Sequence, residues 1–344
     1  MGVLTVGAAF SATAASAAWH AEATAWITEA LARRGVRVVA PPQQPRVRPW
    51  STQLVVDTDA GRYWFKAACR SASFEPALQA LLAELAPDAV DAPAAVDADR
   101  GWLLTADRGA TLRERRAPDA GDWAVLLTRF AHLQQTLVGH GAALRASGLP
   151  DCSAGTVPAR LDAVLDLLEG FPAGHPARPA DPFAARLREA RAAVVTAAAI
   201  LADSPLPSTL QHGDLHPGNV FEVHGGLHVF DLGDAQWAHP LEVLEVSSAV
   251  ARDGGTDWAP VERAYRRAWD AWCAARGLPP VGAEGDAPAW DDLRRAAGVT
   301  HAVNRAWTWC GALAEATEAE WADWGEAAGR HLAKVLDPVP GPQT

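Results

Sequence analysis

A short stretch in the second half of the chain restricts the possible folds more than any other feature of the sequence. Two alternating, β-prone runs within residues 220–230 are separated by the glycine pair 225–226. Two-residue hairpin turns need positive φ angles, which glycine adopts without strain, so this stretch predicts an antiparallel hairpin. A hairpin brings its ends together. We therefore expect Asp214 and Asn219, which precede the first run, to lie close to Asp231, which follows the second.

Two carboxylates and an amide in one place suit phosphoryl transfer. That reaction uses Mg²⁺ held by hard oxygen ligands, and a carboxylate that orients or deprotonates the attacking hydroxyl. Asp214 is followed five positions later by Asn219, which is the spacing of a kinase catalytic loop. The alternative is a polar turn whose acids cap helices. The kinase interpretation predicts Asp214 as the catalytic residue, and Asn219 and Asp231 as the metal ligands.

The stretch from His212 to Asp234 reads His-Gly-Asp-Leu-His-Pro-Gly-Asn, then the hairpin, then Asp-Leu-Gly-Asp. It resembles the aminoglycoside phosphotransferase family within the protein-kinase-like superfamily. The resemblance implies an α+β, two-lobed kinase-like fold, with an antiparallel sheet and helices in a small nucleotide-binding lobe, residues 1–107. A larger, mostly helical lobe, residues 108–344, would carry catalysis and acceptor binding. It also implies Mg²⁺ as cofactor and ATP as phosphate donor, with GTP as the alternative.

The first hundred residues have the order of elements expected of a kinase-like small lobe. Apolar residues at helical spacing predict an opening helix from Trp19 to Gly35. A second hairpin is predicted over residues 54–67, then a helix near 78–85 and a short strand at 102–105. The remainder is predicted to be mostly helical, with helices near residues 123–137, 159–169, 183–202, 241–251, 258–276, 290–314 and 319–336.

Lys66 is unusual because lysine and arginine total 30 in this chain, yet only Lys66 and Lys334 are lysines. A lysine inside an apolar strand then suggests that a compact ammonium group is needed there. The kinase pattern pairs it with the nucleotide phosphates and with a helix glutamate. Glu75 and Glu84 are candidates, on opposite sides of one helix. We choose Glu75, which better resembles the family's position, although the proline after it disfavours helical geometry. The alternative for Lys66 is an exposed edge-strand residue.

The turn expected over the phosphates, residues 48–52, contains no glycine. Its backbone N–H groups and the hydroxyls of Ser51 and Thr52 are the predicted phosphate-binding groups. Residues 105–109 resemble the hinge at which backbone groups receive the adenine edge.

Three other polar residues of the 212–234 stretch have open roles. His212 is expected to brace the loop by a hydrogen bond to the backbone near Asp231. His216 is either structural or a phosphate contact. Asp234 is either an acid behind the metal ligands or a helix cap.

Composition bears on several classes of protein. With 344 residues, 49% of them hydrophobic, the chain has ample core material for two joined lobes. No apolar run reaches the roughly 18 residues of a membrane span. The leading residues lack the Lys or Arg of a signal peptide, so we expect a cytoplasmic protein without a membrane partner. A net charge of −11 disfavours a nucleic-acid partner. The four cysteines are far apart, which favours isolated buried thiols.

The acceptor is expected to be a small-molecule hydroxyl, on an aminoglycoside-like antibiotic or a metabolite. Gly213 stands where protein kinases keep the arginine that receives a phosphorylated segment, and no long activation segment follows Asp231. Residues 240–344 hold 16 acids against 10 bases. A cationic, amine-bearing acceptor is predicted, in a cleft lined by aromatic residues with neighbouring acids: Trp290, Asp291, Asp292, Trp321, Asp323 and Trp324.

Two other functions fit parts of the sequence. A binuclear metallohydrolase would leave Lys66 unexplained; its ligands would be His212, Asp214, His216, His224, His228 and Asp231. A non-catalytic, kinase-shaped binding protein would not need the complete set of Lys66, Asp214, Asn219 and Asp231. Nucleotide turnover distinguishes the three, because only a kinase yields ADP together with a phosphorylated acceptor.

Overall fold

The computed structural model describes residues 8–223, 226–282 and 288–336. Its N-terminal part contains a five-stranded antiparallel sheet in the spatial order β1-β2-β3-β5-β4. The strands are β1 (Gln43–Val47), β2 (Ser51–Thr58), β3 (Gly61–Ala68), β4 (Ala95–Asp97) and β5 (Trp102–Ala106). Strands β2 and β3 form the hairpin predicted over residues 54–67. Strand β4 was not predicted, because three residues are too few to show an alternating pattern.

Two helices, α1 (Phe10–Ala14) and α2 (Ala17–Ala32), cover one face of the sheet. Ser16 caps α2 by accepting a bond from the N–H of Trp19 at 3.2 Å. Gly35, just beyond its end, has a φ of +73°. The opening helix is therefore confirmed. Its buried stripe packs against strand side chains, and this core includes Trp19, Ala23, Ile27, Leu31, Leu54, Phe65, Trp102 and Leu104.

The other face of the sheet borders a cleft, because successive strand side chains point to opposite faces. Gln53 of β2 lies opposite Lys66 of β3, and Lys66 lies opposite Leu103 of β5. All three line a cavity on that side. Helix α3 (Glu75–Leu85) follows β3, and its Leu78 and Leu82 join the largest core of the molecule.

The rest of the chain is mostly helical, as predicted. Its helices are α4 (Leu112–Arg115), α5 (Ala120–Thr136), α6 (Gly141–Ala146), α7 (Val157–Glu169), α8 (Asp181–Glu189), α9 (Arg191–Ala202), α10 (Val243–Asp253), α11 (Ala259–Ala274), α12 (Trp290–Ala312), α13 (Glu318–Trp324) and α14 (Ala327–Leu336). Two predicted helices are each divided in two, as α8 with α9 and α13 with α14. One core includes residues of α5, α10 and α11, and a second includes residues of α7, α12 and α14.

Two short antiparallel pairs lie between α9 and α10. Strand β6 (Thr209–Gln211) pairs with β9 (Gln236–Ala238), and β7 (Val220–Val223) pairs with β8 (Gly226–Val229). The second pair is the predicted catalytic hairpin, although its predicted turn residue Gly225 lies outside the described residues. The N–H of Phe230 donates to the carbonyl oxygen of Asn219 at 3.1 Å. The two ends of the hairpin are therefore together, as expected.

The α+β fold class is confirmed by the N-terminal antiparallel sheet and the helical remainder. All four cysteines are buried and unpaired, as predicted. Within the described ranges, no helix has both the length and the apolar character needed to cross a membrane. The sheet ends at Ala106, and a lobe boundary at residue 107 stays a prediction.

Candidate active site

The loop between β6 and β7 is held in place by a histidine and a glycine. His212 is buried, with Nε2 3.0 Å from the carbonyl oxygen of Phe230, to which it donates. Its Nδ1 accepts a bond from the N–H of Asp214 at 3.3 Å. Burial lowers the pKa of His212, so the ring is neutral and the predicted bracing is confirmed. Gly213 has a φ of +83°, and a Cβ there would overlap the carbonyl of Asp234.

Asp214 projects from this loop beside His216. The Nε2 of His216 lies 3.6 Å from Oδ2 of Asp214, and its Nδ1 accepts a bond from the N–H of Gly218 at 3.0 Å. That bond places the ring proton on Nε2, facing the carboxylate. Burial would raise the pKa of Asp214, but His216 and the charge of Arg305 outweigh burial and lower it to about 2. Asp214 is therefore ionised, and His216 supports it.

Asn219 and Asp231 stand at the two ends of the catalytic hairpin. Nδ2 of Asn219 donates to the carbonyl oxygen of Asp214 at 2.9 Å and lies 3.4 Å from its Oδ2. Asp231 has a φ of +62°, and no other non-glycine residue in the described part of the chain has a positive φ. Such strained conformations are concentrated at active sites. The three residues predicted to meet are thus brought together.

Lys66 joins the sheet to this hairpin through two carboxylates. Its Nζ lies 2.7 Å from Oε2 of Glu75 and 2.5 Å from Oδ1 of Asp231. Glu75 is the first residue of α3, and its Oε1 accepts a bond from the N–H of Leu232 at 2.9 Å. The choice of Glu75 over Glu84 as the partner is therefore confirmed. The alternative of an exposed edge-strand lysine is wrong, because the side chain of Lys66 is only 14% exposed.

The charges of this trio are mutually dependent. Burial would lower the pKa of Lys66, but the charges of Asp231 and Glu75 raise it above its ordinary value. The charge of Lys66 in turn lowers the pKa of Asp231. Burial raises the pKa of Glu75, against the opposing charge of Lys66. We conclude that Lys66 and Asp231 are both ionised at neutral pH.

Two adjoining cavities border these residues. The larger of the two, of about 610 Å³, lies between the sheet and the catalytic hairpin. Phe221 and Phe230, which line it, stack with ring centroids 4.2 Å apart. The predicted hinge, residues 105–109, forms one wall. Arg108 is held there by both oxygens of Asp91, at 2.7 and 2.9 Å. A pocket of this size with aromatic walls and a fixed backbone edge suits a planar base.

The prediction for Ser51 and Thr52 is correct in placement for only one of them. Neighbouring strand residues point to opposite faces, so only one of the two faces the cleft. Ser51 does. Thr52 is fully buried; its hydroxyl donates to the carbonyl oxygen of Arg46 and accepts from Nε2 of Gln44, both at 2.8 Å. The prediction was therefore wrong for the Thr52 hydroxyl. Gln53, which lines the larger cavity, was missed, although the same alternation indicates it.

A smaller cavity, of about 320 Å³, adjoins the larger one. Lys66, Glu75 and Asp231 line both cavities, so the two meet at this trio. Asp214 lines only the smaller cavity. A molecule in the smaller cavity would therefore have the ionised carboxylate of Asp214 beside it and the Lys66 trio in front of it.

Arg305 of α12 lines the smaller cavity and was missed by sequence reasoning. One guanidinium nitrogen, Nη1, lies 2.8 Å from Oδ2 of Asp234. Burial would lower the pKa of Arg305, but the charge of Asp234 raises it. Asp234 is thus the partner of a buried arginine. A signal was present, because Thr300, Asn304, Arg305 and Thr308 recur at helical spacing in α12 and indicate a polar, inward-facing stripe.

The aromatic and acidic residues predicted to line an acceptor cleft lie elsewhere. Trp290 donates from Nε1 to a glutamate of α11 at 2.9 Å. Trp321 packs against Phe171, with ring centroids 5.0 Å apart. Neither cavity is lined by any of the six predicted residues, Trp290, Asp291, Asp292, Trp321, Asp323 and Trp324. The tryptophans on the wall of the smaller cavity are Trp50, Trp307 and Trp309. The prediction failed because composition does not show which face of α12 meets the catalytic loop.

The antiparallel sheet, the helical second part and the Lys66 trio beside Asp214 define a phosphotransferase of protein-kinase-like fold. A model of the phosphotransferase enzyme family, APH, matches residues 50–281. The chain belongs to this family of small-molecule kinases. Among curated proteins, none matches the sequence.

Solved structures of small-molecule kinases share the fold. The macrolide 2'-phosphotransferase of Brachybacterium faecium is 17% identical, covers 92% of this chain and 98% of its own, and has a TM-score of 0.54. The choline kinase of Streptococcus pneumoniae is 15% identical, with coverages of 91% and 99% and a TM-score of 0.53. The ethanolamine kinase of Plasmodium vivax is 10% identical, with coverages of 88% and 84% and a TM-score of 0.58. At sequence identities this low, structural similarity establishes the fold alone.

Proposed function

We propose that this protein transfers the γ-phosphate of ATP to a hydroxyl group of a small molecule, an aminoglycoside-like antibiotic or a metabolite, with Mg²⁺ as cofactor. The observation that carries the proposal is the meeting of two cavities at Lys66, Glu75 and Asp231, with Asp214 on the wall of the smaller one. A nucleotide in the larger cavity would have its terminal phosphate at this junction. An acceptor hydroxyl in the smaller cavity would lie beside Asp214. This order suits in-line transfer.

Each residue has a distinct role in this proposal. Asp214, whose pKa is held at about 2, orients the acceptor hydroxyl and takes its proton. Lys66, fixed by Glu75, supplies positive charge to the nucleotide phosphates. Ser51 contributes a phosphate contact from the start of β2. Residues 1–107 would form the nucleotide-binding lobe, and ATP as donor fits the cytoplasmic location predicted from the sequence.

Asn219 and Asp231 fit the requirements of Mg²⁺. Nδ2 of Asn219 is engaged with Asp214, which leaves the amide oxygen as a ligand, and Lys66 contacts Oδ1 of Asp231, which leaves Oδ2. Mg²⁺ commonly takes one or two protein oxygens and keeps water and phosphate oxygens as its other ligands. A cluster of three ionisable ligands is therefore not required, and the described residues contain none. Bound there, the ion would neutralise charge on the transferred phosphate.

The metallohydrolase alternative finds no support in the part of the chain that the structure describes. Its ligands would have to converge, but His228 bonds to Asp91 at 3.0 Å and His212 bonds to the backbone. His224 lies outside the described residues. Regulation through a phosphorylated activation segment is also disfavoured, because Gly213 packs against Asp234 and leaves no side chain to receive such a segment.

An assay of acceptor-stimulated ADP release tests this function, with mass spectrometry to detect the phosphorylated acceptor. Asp214→Asn, which preserves size and removes charge, is the matched control and should bind Mg-ATP without turnover. If the protein binds Mg-ATP but no antibiotic or metabolite stimulates ADP release, the non-catalytic binding protein would be favoured. Release of inorganic phosphate without any phosphorylated acceptor would favour a hydrolase.

A further inference from the structure

Three tryptophans from separate parts of the chain pack together beside the smaller cavity, and two of them, Trp50 and Trp309, line it. Trp50 lies in the turn between β1 and β2, Trp309 in α12 and Trp324 at the end of α13. The ring centroid of Trp50 is 5.5 Å from that of Trp309 and 5.2 Å from that of Trp324. Trp309 and Trp324 are 5.8 Å apart. We call these three residues the tryptophan closure, because they join the sheet directly to the helical part of the molecule.

The tryptophan closure limits the space for an acceptor. Its turn is fixed, since the N–H of Cys69 donates to the carbonyl oxygen of Trp50 at 2.9 Å. Nearby, Gly311 of α12 lies so close to Ser71 that a Cβ would clash with it. With the sheet and α12 in contact at both places, the cavity between them measures about 320 Å³. Pockets that bury drug-sized ligands span roughly 300–1,000 Å³, so this one is at the lower limit.

The acidic side chains of the smaller cavity leave no carboxylate for an amine. They are Glu75, Asp214, Asp231 and Asp234. Lys66 pairs with the first and the third, and Arg305 pairs with the fourth at 2.8 Å. Asp214 is the proposed base. An amino group on the acceptor would therefore find no carboxylate there that is neither paired nor needed as the base, which is unfavourable for a charged group that has lost its water.

The remaining features of the wall favour an uncharged ring. Arg46 is an exposed residue on the cavity wall and forms no ion pair with any residue that the structure describes, so its positive charge adds to the cost of placing a cation there. Trp307, which is 40% exposed, presents an apolar ring surface on the same wall. Aromatic faces of this kind stack on sugar rings and on heteroaromatic bases.

We propose that the acceptor is a compact hydroxylated ring compound without positive charge, such as a monosaccharide or a nucleoside, and that Trp50 sets its maximum size. The proposal rests on the proposed phosphotransferase function and refines it. The acceptor oxygen forms a bond to the γ-phosphorus while the bond to the β-phosphate oxygen breaks. ADP leaves with that electron pair, and the hydroxyl proton passes to Asp214.

The first test compares acceptors that differ only in charge. ADP release is measured with hexoses, pentoses, inositols and nucleosides, each beside its amino counterpart where one exists, as glucose beside glucosamine. Kanamycin, erythromycin and choline are included as cationic or multi-ring probes. We expect the best acceptor to be an uncharged single-ring compound or nucleoside, with kcat/KM at least tenfold above that of its amino counterpart.

Three other outcomes would each contradict a specific part of this proposal. Activity confined to amino sugars, kanamycin, erythromycin or choline would overturn this inference and leave the phosphotransferase function standing. Absence of ADP release with every compound would remove the inference together with the proposed function. Formation of the same products by Asp214→Asn at the wild-type rate would overturn the role of Asp214 as the base and leave the phosphotransferase function standing.

The second test addresses size with Trp50→Ala. For the best single-ring acceptor and its benzyl glycoside, or the benzyl ether of a nucleoside, kcat/KM is measured at saturating ATP. We expect Trp50→Ala to raise the ratio of the larger to the smaller compound at least tenfold. Trp290→Ala is the matched control, since Trp290 lies about 28 Å from Trp309 along the same helix and should leave the ratio unchanged. An unchanged ratio in folded Trp50→Ala would contradict the size limit.

Discussion

Asp214 gives the most direct prediction at the scale of single residues. Because it is proposed to take the proton of the acceptor hydroxyl, Asp214→Asn should lower kcat by about 10²- to 10⁴-fold. Affinity for Mg-ATP should change little, since Asp231 and Asn219 hold the metal in this proposal. Steady-state kinetics and calorimetric titration with Mg-ATP measure the two quantities. Near-normal turnover in Asp214→Asn would show that another group is the base.

The pH dependence of the wild-type enzyme follows from the pKa of Asp214, which is lowered to about 2. The deprotonated carboxylate is the active form, so activity due to this group is lost only as pH falls towards 2. The rate profile should therefore show no acidic limb from Asp214 between about pH 5 and 8. A limb in that interval that disappears in Asp214→Asn would contradict the low pKa.

Lys66 is predicted to have a structural and a functional role that double substitution separates. Lys66→Ala leaves Glu75 buried without its ion-pair partner, and breaking a buried pair costs about 3–5 kcal/mol. The second variant, Lys66→Ala with Glu75→Gln, removes that unpaired charge and should recover much of the free energy of unfolding. The double variant should stay inactive, because it lacks the positive charge that Lys66 supplies to the nucleotide phosphates. Denaturant unfolding and ADP release are the two measurements.

Lys66→Arg tests the same site in another way. The guanidinium is planar and places its charge farther along the side chain, so it cannot lie 2.7 Å from Glu75 and 2.5 Å from Asp231 in the same manner. We expect activity well below that of the wild type. Full activity in Lys66→Arg would mean that only a positive charge is needed there.

Individual residues were predictable from the sequence where their positions depend on local geometry. Asp214, Asn219 and Asp231 meet because one hairpin joins them, and the hairpin is encoded by neighbouring residues. Thr52 was misassigned because its orientation depends on the register of β2 against the core. Arg305 was missed because the polar stripe of α12 indicates that the side chain faces inward but does not show that it reaches the catalytic loop, which is distant in sequence.

At the scale of elements, α12 determines the electrostatics of the catalytic loop. Arg305 lowers the pKa of Asp214, so Arg305→Gln should raise that pKa and move the acidic limb of kcat/KM to higher pH. The matched control is Arg294→Gln, one of whose partners is Glu245 at 2.8 Å, away from the cavity. The pH profiles of both variants and of the wild type are compared from about pH 2 to 6, the interval in which a carboxyl of this kind titrates. Equal shifts in the two would indicate a general change of charge.

Periodic elements were predicted well, and interrupted ones less well. The apolar stripes of α2, α5 and α11 and the two hairpins are visible because their spacing matches the geometry of one element. Helices α8 and α9 were predicted as one, since only Ala190, which itself has αR backbone angles, separates them. Breaks of this kind follow from packing against other helices, and local sequence patterns carry no information about that packing.

At the scale of the whole molecule, the two cavities depend on contacts between segments far apart in sequence. Lys66 and Asp231 are separated by 165 positions, yet their side chains are in direct contact. The sequence predicted both as members of one site through family resemblance, whereas the dimensions and charge of the acceptor space followed only from the positions of the sheet and α12. That is why the predicted lining of the acceptor cleft needed correction and the kinase prediction did not.

Buried titratable groups make the stability of the whole molecule depend on pH in two directions. Burial lowers the pKa of His239 to about 3 and that of His331 to about 4, and also lowers those of His212 and His301. These rings bind protons more readily when unfolded, so the free energy of unfolding falls as pH decreases below 6.5, their ordinary pKa. Burial raises the pKa of Glu242 to about 8, against hydrogen bonds from two residues of α12. This carboxyl binds its proton more readily when folded.

The free energy of unfolding should therefore be greatest near pH 6.5, with a steep decline on the acidic side and a shallower one towards pH 8. Four histidines oppose folding as pH falls, whereas Glu242 opposes it as pH rises from 4.5 to about 8. Glu75, whose pKa burial also raises, acts in the same direction as Glu242. One such group changes stability by at most about 1.4 kcal/mol per pH unit, or roughly 2 kcal/mol between pH 6.5 and 8. Glu242→Gln, which retains an oxygen for Thr300, should abolish most of the alkaline decline and leave the acidic one intact. Denaturant unfolding at about pH 5, 6.5 and 8 measures both slopes, and an unchanged alkaline slope in Glu242→Gln would assign it to another group.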